Sequence, residues 1–175
     1  TFKDMTDRFM KEHAPTVSDN MQRSYASSLK HLIPFLGELP LLSISREKIS
    51  DYKVLRKDEG ARPATINREL AVVSKSFALT IEDWGWIKIK DKPFSKMSYV
   101  EENNERDRWL VEDEEKRLLE NCSEWLHEII SFALNTGLRQ GELLSLEWNR
   151  VNLFRKTILI QKTKNGRPKT VPLNQ

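Results

Sequence analysis

Between Phe132 and Leu153 the chain reads FALNTGLRQGELLSLEWNRVNL, and one arginine stands at its sharpest turn. An apolar helix is expected to end at Gly137. Arg139 then lies at the entry to a short helix, roughly Gly141–Leu146, on which Leu143, Leu144 and Leu146 would pack inward. Glu142 falls three positions beyond Arg139, the spacing at which a carboxylate can hold a guanidinium on one helix face. A guanidinium is planar and always charged, so fixed in this way it can donate paired hydrogen bonds to an anionic oxygen cluster. The plainer reading of the spacing alone is an ordinary surface-turn arginine paired with its neighbour.

A second group of cations follows in KTKNGRPK, where Lys162, Lys164, Arg167 and Lys169 surround Asn165-Gly166, a strong hairpin-turn signal. The flanking TILIQ and TVPL read as two strands. A third group, Arg62, Thr65, Asn67, Arg68 and Lys75, lies on and just before a helix expected to begin near Pro63. Small hydroxyl and amide side chains at a helix N-terminus suit phosphate, and a solvated polar face is the alternative. The five tryptophans (Trp84, Trp86, Trp109, Trp125 and Trp148) are expected mainly as core packing rather than as stacking platforms.

Other chemistries lack their residues. Cys122 is the single cysteine, and His13, His31 and His127 are scattered, so no metal-ligand cluster is expected. No G-x-x-x-x-G-K-[ST] phosphate loop is present. A lone cysteine and the absence of any long apolar run fit a cytoplasmic protein outside the membrane. The net charge of +3 is small but uneven: residues 99–130 hold four Lys/Arg against eleven Asp/Glu, and 131–175 hold eight against two. Such asymmetry permits a phosphate-binding surface.

The elements that must position these groups are mainly helical. Phe2, Met5 and Phe9 mark a first helix closed by Pro15. Met21, Tyr25, Leu29, Leu32 and Phe35-Leu36 mark a second, ending at Gly37, and Ser45 precedes a third with Ile49, Tyr52 and Leu55. Ile66, Leu70, Val73, Phe77 and Ile81 form the buried face of the fourth, which ends at Trp84-Gly85-Trp86. Residues 1–90 are therefore expected as a helical bundle, 91–109 as a linker, and 110–175 as a second domain that runs helix, helix, helix, hairpin. Tyr25 and Tyr52 are expected on core or helix faces and Tyr99 in the linker.

The ordered string T-G-L-R-x-G-E-L-L-x-L-x-W, followed by V-N-L, resembles the box around the first catalytic arginine of the tyrosine recombinases, the family of the phage integrases. TILIQKTKNGRPKTVPL resembles the hairpin that carries that family's catalytic lysine, and A-R-P-A-T-I-N-R-E-L resembles the start of the long helix of its core-binding domain. The likeness covers nearly the whole chain and is weakest over residues 1–60.

It implies a mainly α fold, with a SAM-like core-binding bundle linked to the leading part of an α+β catalytic domain that ends in a hairpin. It also implies double-stranded DNA as partner, and site-specific integration or excision through a 3′-phosphotyrosyl intermediate, with neither ATP nor metal nor other cofactor. Arg139 would bind the scissile phosphate with Glu142 in support. Lys164 would be the general acid, with Lys162 as the competing register. Arg62, Thr65, Asn67, Arg68, Lys75, Lys162 and Arg167 would contact DNA, the two domains closing as a clamp. The family's H-x-x-R pair, further His or Trp and nucleophilic tyrosine all follow the hairpin, whereas every tyrosine and histidine here precedes Arg139. The expected chain is thus an inactive, monomeric fragment of a protein that works as a tetramer on DNA. The alternative is a non-catalytic DNA-binding regulator on the same scaffold.

Overall fold

A computed structural model describes the chain except for Lys92, Ser95, Asn104, Arg106, residues 162–166 and residues 174–175. It divides into two compact units, Thr1–Glu105 and Arg106–Gln175.

The first unit is helical. Helix α1 (Phe2–Arg8) is capped by Thr1, whose side chain accepts from the Asp4 N–H, and it continues through a π-type turn (Phe9–His13) and a 3-10 turn (Ala14–Thr16). Helices α2 (Asp19–Leu36), α3 (Arg46–Asp58) and α4 (Pro63–Glu82) follow. Ser45 caps α3 by accepting from the Lys48 N–H, and Pro63 opens α4 where no intrahelical donor is needed. Phe2, Met5, Phe9, Leu32, Leu36, Tyr52, Ile66, Leu70, Val73 and Phe77 are fully buried together. The expected stripes hold with two exceptions at their margins. Met21, in the first turn of α2, and Leu55, near the end of α3, are exposed because the core narrows at those ends.

The residue-90 boundary falls inside this unit. Ile87, Phe94 and Met97 are buried in the same core, and Phe94 meets Phe77 edge-on at 5.0 Å between ring centroids. Lys53 donates to the Ser98 carbonyl at 3.2 Å, and Asn67 exchanges two 2.7 Å hydrogen bonds with the Val100 main chain. Phe94 and residues 97–100 are therefore held against α3 and α4 as irregular chain.

The second unit contains α5 (Glu112–Glu120), α6 (Glu124–Thr136), the short α7 (Gln140–Leu144) and a sheet of order β1-β2-β3. Strands β2 (Thr157–Ile160) and β3 (Lys169–Pro172) pair antiparallel from Thr157↔Pro172 to Ile160↔Lys169, which is the expected hairpin. Strand β1 (Val151–Asn152) was not expected; it pairs with Ile158 and Thr157. The turn between β1 and β2 contains neither glycine nor proline. It is held by the Asn152 side chain accepting from the Arg155 N–H at 2.8 Å, with Lys156 in the left-handed region at φ 49°. Leu138, Ile158 and Ile160 form its buried centre, flanked by half-buried Phe132, Leu143, Leu146, Val151, Val171 and Leu173.

Among the described residues, no helix is long and apolar enough to cross a membrane. The expectation of core tryptophans needs correction. Trp86, Trp109, Trp125 and Trp148 are exposed, because they stand at helix ends and turns beyond the packed stripes. Half-buried Trp84 packs against the core, and the Arg8 guanidinium lies over the Trp84 and Trp86 rings at 4.7 and 5.2 Å. Leu144 is likewise exposed, since a five-residue helix turns only part of its circumference inward.

Candidate active site

Helix α6 ends because Gly137 adopts φ 62°, a left-handed conformation that a Cβ would strain, while its N–H still donates to the Ala133 carbonyl. The chain reverses there. Leu138 points into the small core, and Arg139, the next residue, points outward with its side chain 63% exposed. One peptide step thus separates the buried anchor from the exposed guanidinium.

Glu142 is the hub of the turn. Its carboxylate is 5% exposed and accepts from the Arg139 N–H at 3.1 Å, from Arg139 Nη1 at 3.3 Å and from Lys169 Nζ at 2.9 Å. The Lys169 ammonium, and after it the Arg139 N–H, hold the Glu142 carboxyl below its ordinary range. The carboxylate is therefore ionised at neutral pH, and its charge is shared between two cations. The Arg139–Glu142 pairing was legible from the i,i+3 spacing. Lys169 was not: it lies 27 residues from Glu142, and only the register of β3 brings it there. One cation of the basic hairpin group is thus paired with a carboxylate.

The remaining residues fall into separate places. Lys162 and Lys164 lie outside the described residues, and Arg167 is exposed on the strand side of the same hairpin. Arg62 precedes α4 as its capping residue and is exposed, as are Arg68 and Lys75, whereas Thr65 is half-buried in the first turn. Asn67 differs from these neighbours. Both ends of its amide are engaged by the Val100 main chain, so its hydrogen-bonding capacity is largely spent there.

Sequence reasoning also missed a buried polar network beneath α4. Glu69, 2% exposed, accepts from Tyr52 Oη at 2.8 Å and from Arg56 Nε and Nη2 at 3.0 and 2.8 Å, and Arg56 also donates to Glu59. Burial, and then the Glu69 carboxylate, push the Tyr52 phenol far above its ordinary range. Tyr52 is thus a neutral donor locked in the core. Among the described residues no three His, Cys, Asp or Glu side chains gather as a metal site.

Comparison with known proteins agrees with this architecture. The profile of the phage integrase family matches residues 108–175. The shufflon-specific DNA recombinase of Escherichia coli is 28% identical over 97% of this chain and 46% of its own length. The integrase of Salmonella phage P22 is 33% identical over 67% of this chain and 30% of its own. Among solved structures, a lambda integrase tetramer bound to a Holliday junction superposes with a TM-score of 0.81 at 22% identity, over 98% of this chain and 48% of that one. The Tn1549 transposon integrase in complex with transposon right end DNA gives 0.76 at 18% identity, over 98% and 60%. At those identities the structural likeness carries the fold. The chain spans about half the length of the curated relatives it matches. With the family profile matched over residues 108–175 and integrase and recombinase relatives aligned along most of its length, the chain belongs to the phage integrase family of tyrosine recombinases.

Proposed function

We propose that this chain is the core-binding unit and the leading part of the catalytic domain of a site-specific DNA recombinase, one that integrates or excises a phage or other mobile element. The observation that carries the reading is the Arg139 turn. Its guanidinium is directed outward while its main chain is anchored by a buried carboxylate, inside the segment that matches the family profile.

Attack on a DNA phosphodiester adds negative charge to the non-bridging oxygens. An arginine already fixed in place stabilises that charge without reorganising. Lys164, with Lys162 as the alternative register, would deliver a proton to the departing 5′ oxygen. The nucleophile would be a tyrosine outside these 175 residues, storing the bond energy as a 3′-phosphotyrosyl link, so that neither metal nor other cofactor is required. Double-stranded DNA is the partner, the full-length protein works as a tetramer on paired sites, and the reaction belongs in the cytoplasm.

The helical unit contributes Arg62, Thr65, Arg68 and Lys75 as backbone contacts on one edge of α4, and Arg167 adds a contact from the hairpin. Asn67 serves this surface indirectly, by holding the chain that crosses it. The core-binding role falls to the unit Thr1–Glu105, with the chain around Ser98 and Val100 belonging to it, and the catalytic role to Arg106–Gln175.

The test is binding to duplex DNA over a range of salt. Arg68→Ala and Lys75→Ala are each expected to flatten the salt dependence by about one phosphate contact. Unchanged slopes would return α4 to a solvated face. Incubated with supercoiled DNA, the 175-residue chain is expected to give no covalent adduct, and a phosphotyrosyl product would contradict the assignment of the nucleophile.

A further inference from the structure

We infer that Lys169 is a positioning residue: by drawing the Glu142 carboxylate to the hairpin, it ties the Arg139 turn to strand β3 and leaves the Arg139 guanidinium open to a phosphate. This rests on the recombinase reading for what the guanidinium binds, and on geometry alone for what Lys169 does.

Two cations share one buried carboxylate, and they do not share it equally. Lys169 Nζ sits 2.9 Å from Oε2, the oxygen that also accepts the Arg139 N–H at 3.1 Å. Arg139 Nη1 reaches the other oxygen at 3.3 Å, its one side-chain hydrogen bond among the described residues. A guanidinium facing a carboxylate without a competitor closes into a two-bond fork, which would occupy the edge needed for an anion. Here the lysine holds the tighter bond, and Arg139 keeps most of its donors directed outward.

The tie also has a mechanical side. Lys169 pairs with Ile160, 4% exposed, in the last described rung of the hairpin ladder, and Lys164 lies five positions before it in sequence. One ion pair therefore connects the turn that carries the arginine to strand β3. Lys169 itself has no part in the chemistry on this account, because its ammonium is committed to Glu142.

The test has two readouts on the full 175-residue chain, with wild type, Lys169→Met and Lys169→Arg. The first uses no DNA: NMR follows the Glu142 carboxyl titration and the exchange of the Arg139 side-chain N–H. Lys169→Met is expected to raise the Glu142 midpoint and to slow Arg139 exchange as the carboxylate turns to it, and Lys169→Arg to restore both. An unchanged Arg139 signal in Lys169→Met overturns the inference. The second is affinity for duplex DNA. Lys169→Met is expected to weaken binding about fivefold, and Arg139→Ala with Lys169→Met to bind no worse than Arg139→Ala alone. Additive losses would mean that Lys169 touches phosphate directly, and would overturn it too. Equal binding by wild type and Arg139→Ala would instead count against the recombinase reading, leaving the NMR result to decide Lys169. Lys169 is 37% exposed, and Lys169→Arg keeps its charge, so a folding defect in one variant does not remove the other.

Discussion

The two units solve the same problem, holding charged side chains at a surface, by opposite means. In the first, α1 to α4 bury apolar stripes, and the polar cluster Tyr52–Arg56–Glu69 is enclosed and internally hydrogen-bonded. In the second, α5 and α6 bury no residue, the centre is Leu138, Ile158 and Ile160, and Trp125, Trp148 and Phe154 stand exposed. There the arginine is held by a glycine turn and a three-way ion pair rather than by a deep core. The surface of α4 is therefore supported by what is buried under it, whereas the Arg139 site is supported by a few polar contacts beside it. The first should answer to cavities, the second to charge and backbone.

The largest effects are expected in the first unit. Phe77→Ala should cost about 3–5 kcal/mol, since the ring is fully buried against Phe94. Glu69→Ala should cost about 3–5 kcal/mol as well, because it strands a buried guanidinium. Amide hydrogen exchange assigns each loss to its unit, and a loss spread equally over residues 106–175 would break the comparison. Next comes Gly137→Ala, expected to cost about 1–2 kcal/mol. Beyond its chain neighbours, no described atom lies within 4 Å of the added methyl, so the effect is the left-handed backbone.

Acid should act more gently, and in the second unit. The folded carboxyl of Glu142 titrates below its ordinary 4.5, so its stabilisation is complete above that value and is lost as pH falls through the lower folded one. Glu142→Gln should abolish that acid dependence; a persisting dependence would assign it to another carboxylate. The smallest effect is reserved for Trp148→Ala, expected within about 0.5 kcal/mol at a side chain that is 82% exposed. A loss there comparable with Phe77→Ala would sink the account of the second unit.

The periodic parts of this fold were legible in the sequence. Phe2, Leu32, Ile66 and Phe77 repeat at helical spacing, and that spacing located the first core. Arg139, Gly137 and Glu142 were legible because their relation is local. What escaped was non-local or aperiodic. Phe94 and Met97 reach the core from chain with no repeat, and the Lys169–Glu142 bond depends on strand register. Glu69 resembled any polar position of α4 until Arg56 and Tyr52 were brought to it. Strand β1 escaped because its turn uses Asn152 and Lys156 in place of glycine. The tryptophans misled for a related reason: an aromatic near an apolar stripe looks buried in one dimension, and the helix ends here place it outside.

The most direct measurement of the central claim is the salt dependence of duplex DNA binding by the 175-residue chain, with and without Arg139→Ala. The variant is expected to bind more weakly, with a slope lower by about one phosphate contact and an undisturbed fold. Identical affinity and slope would contradict that claim, and Arg139 would then be only the surface partner of Glu142.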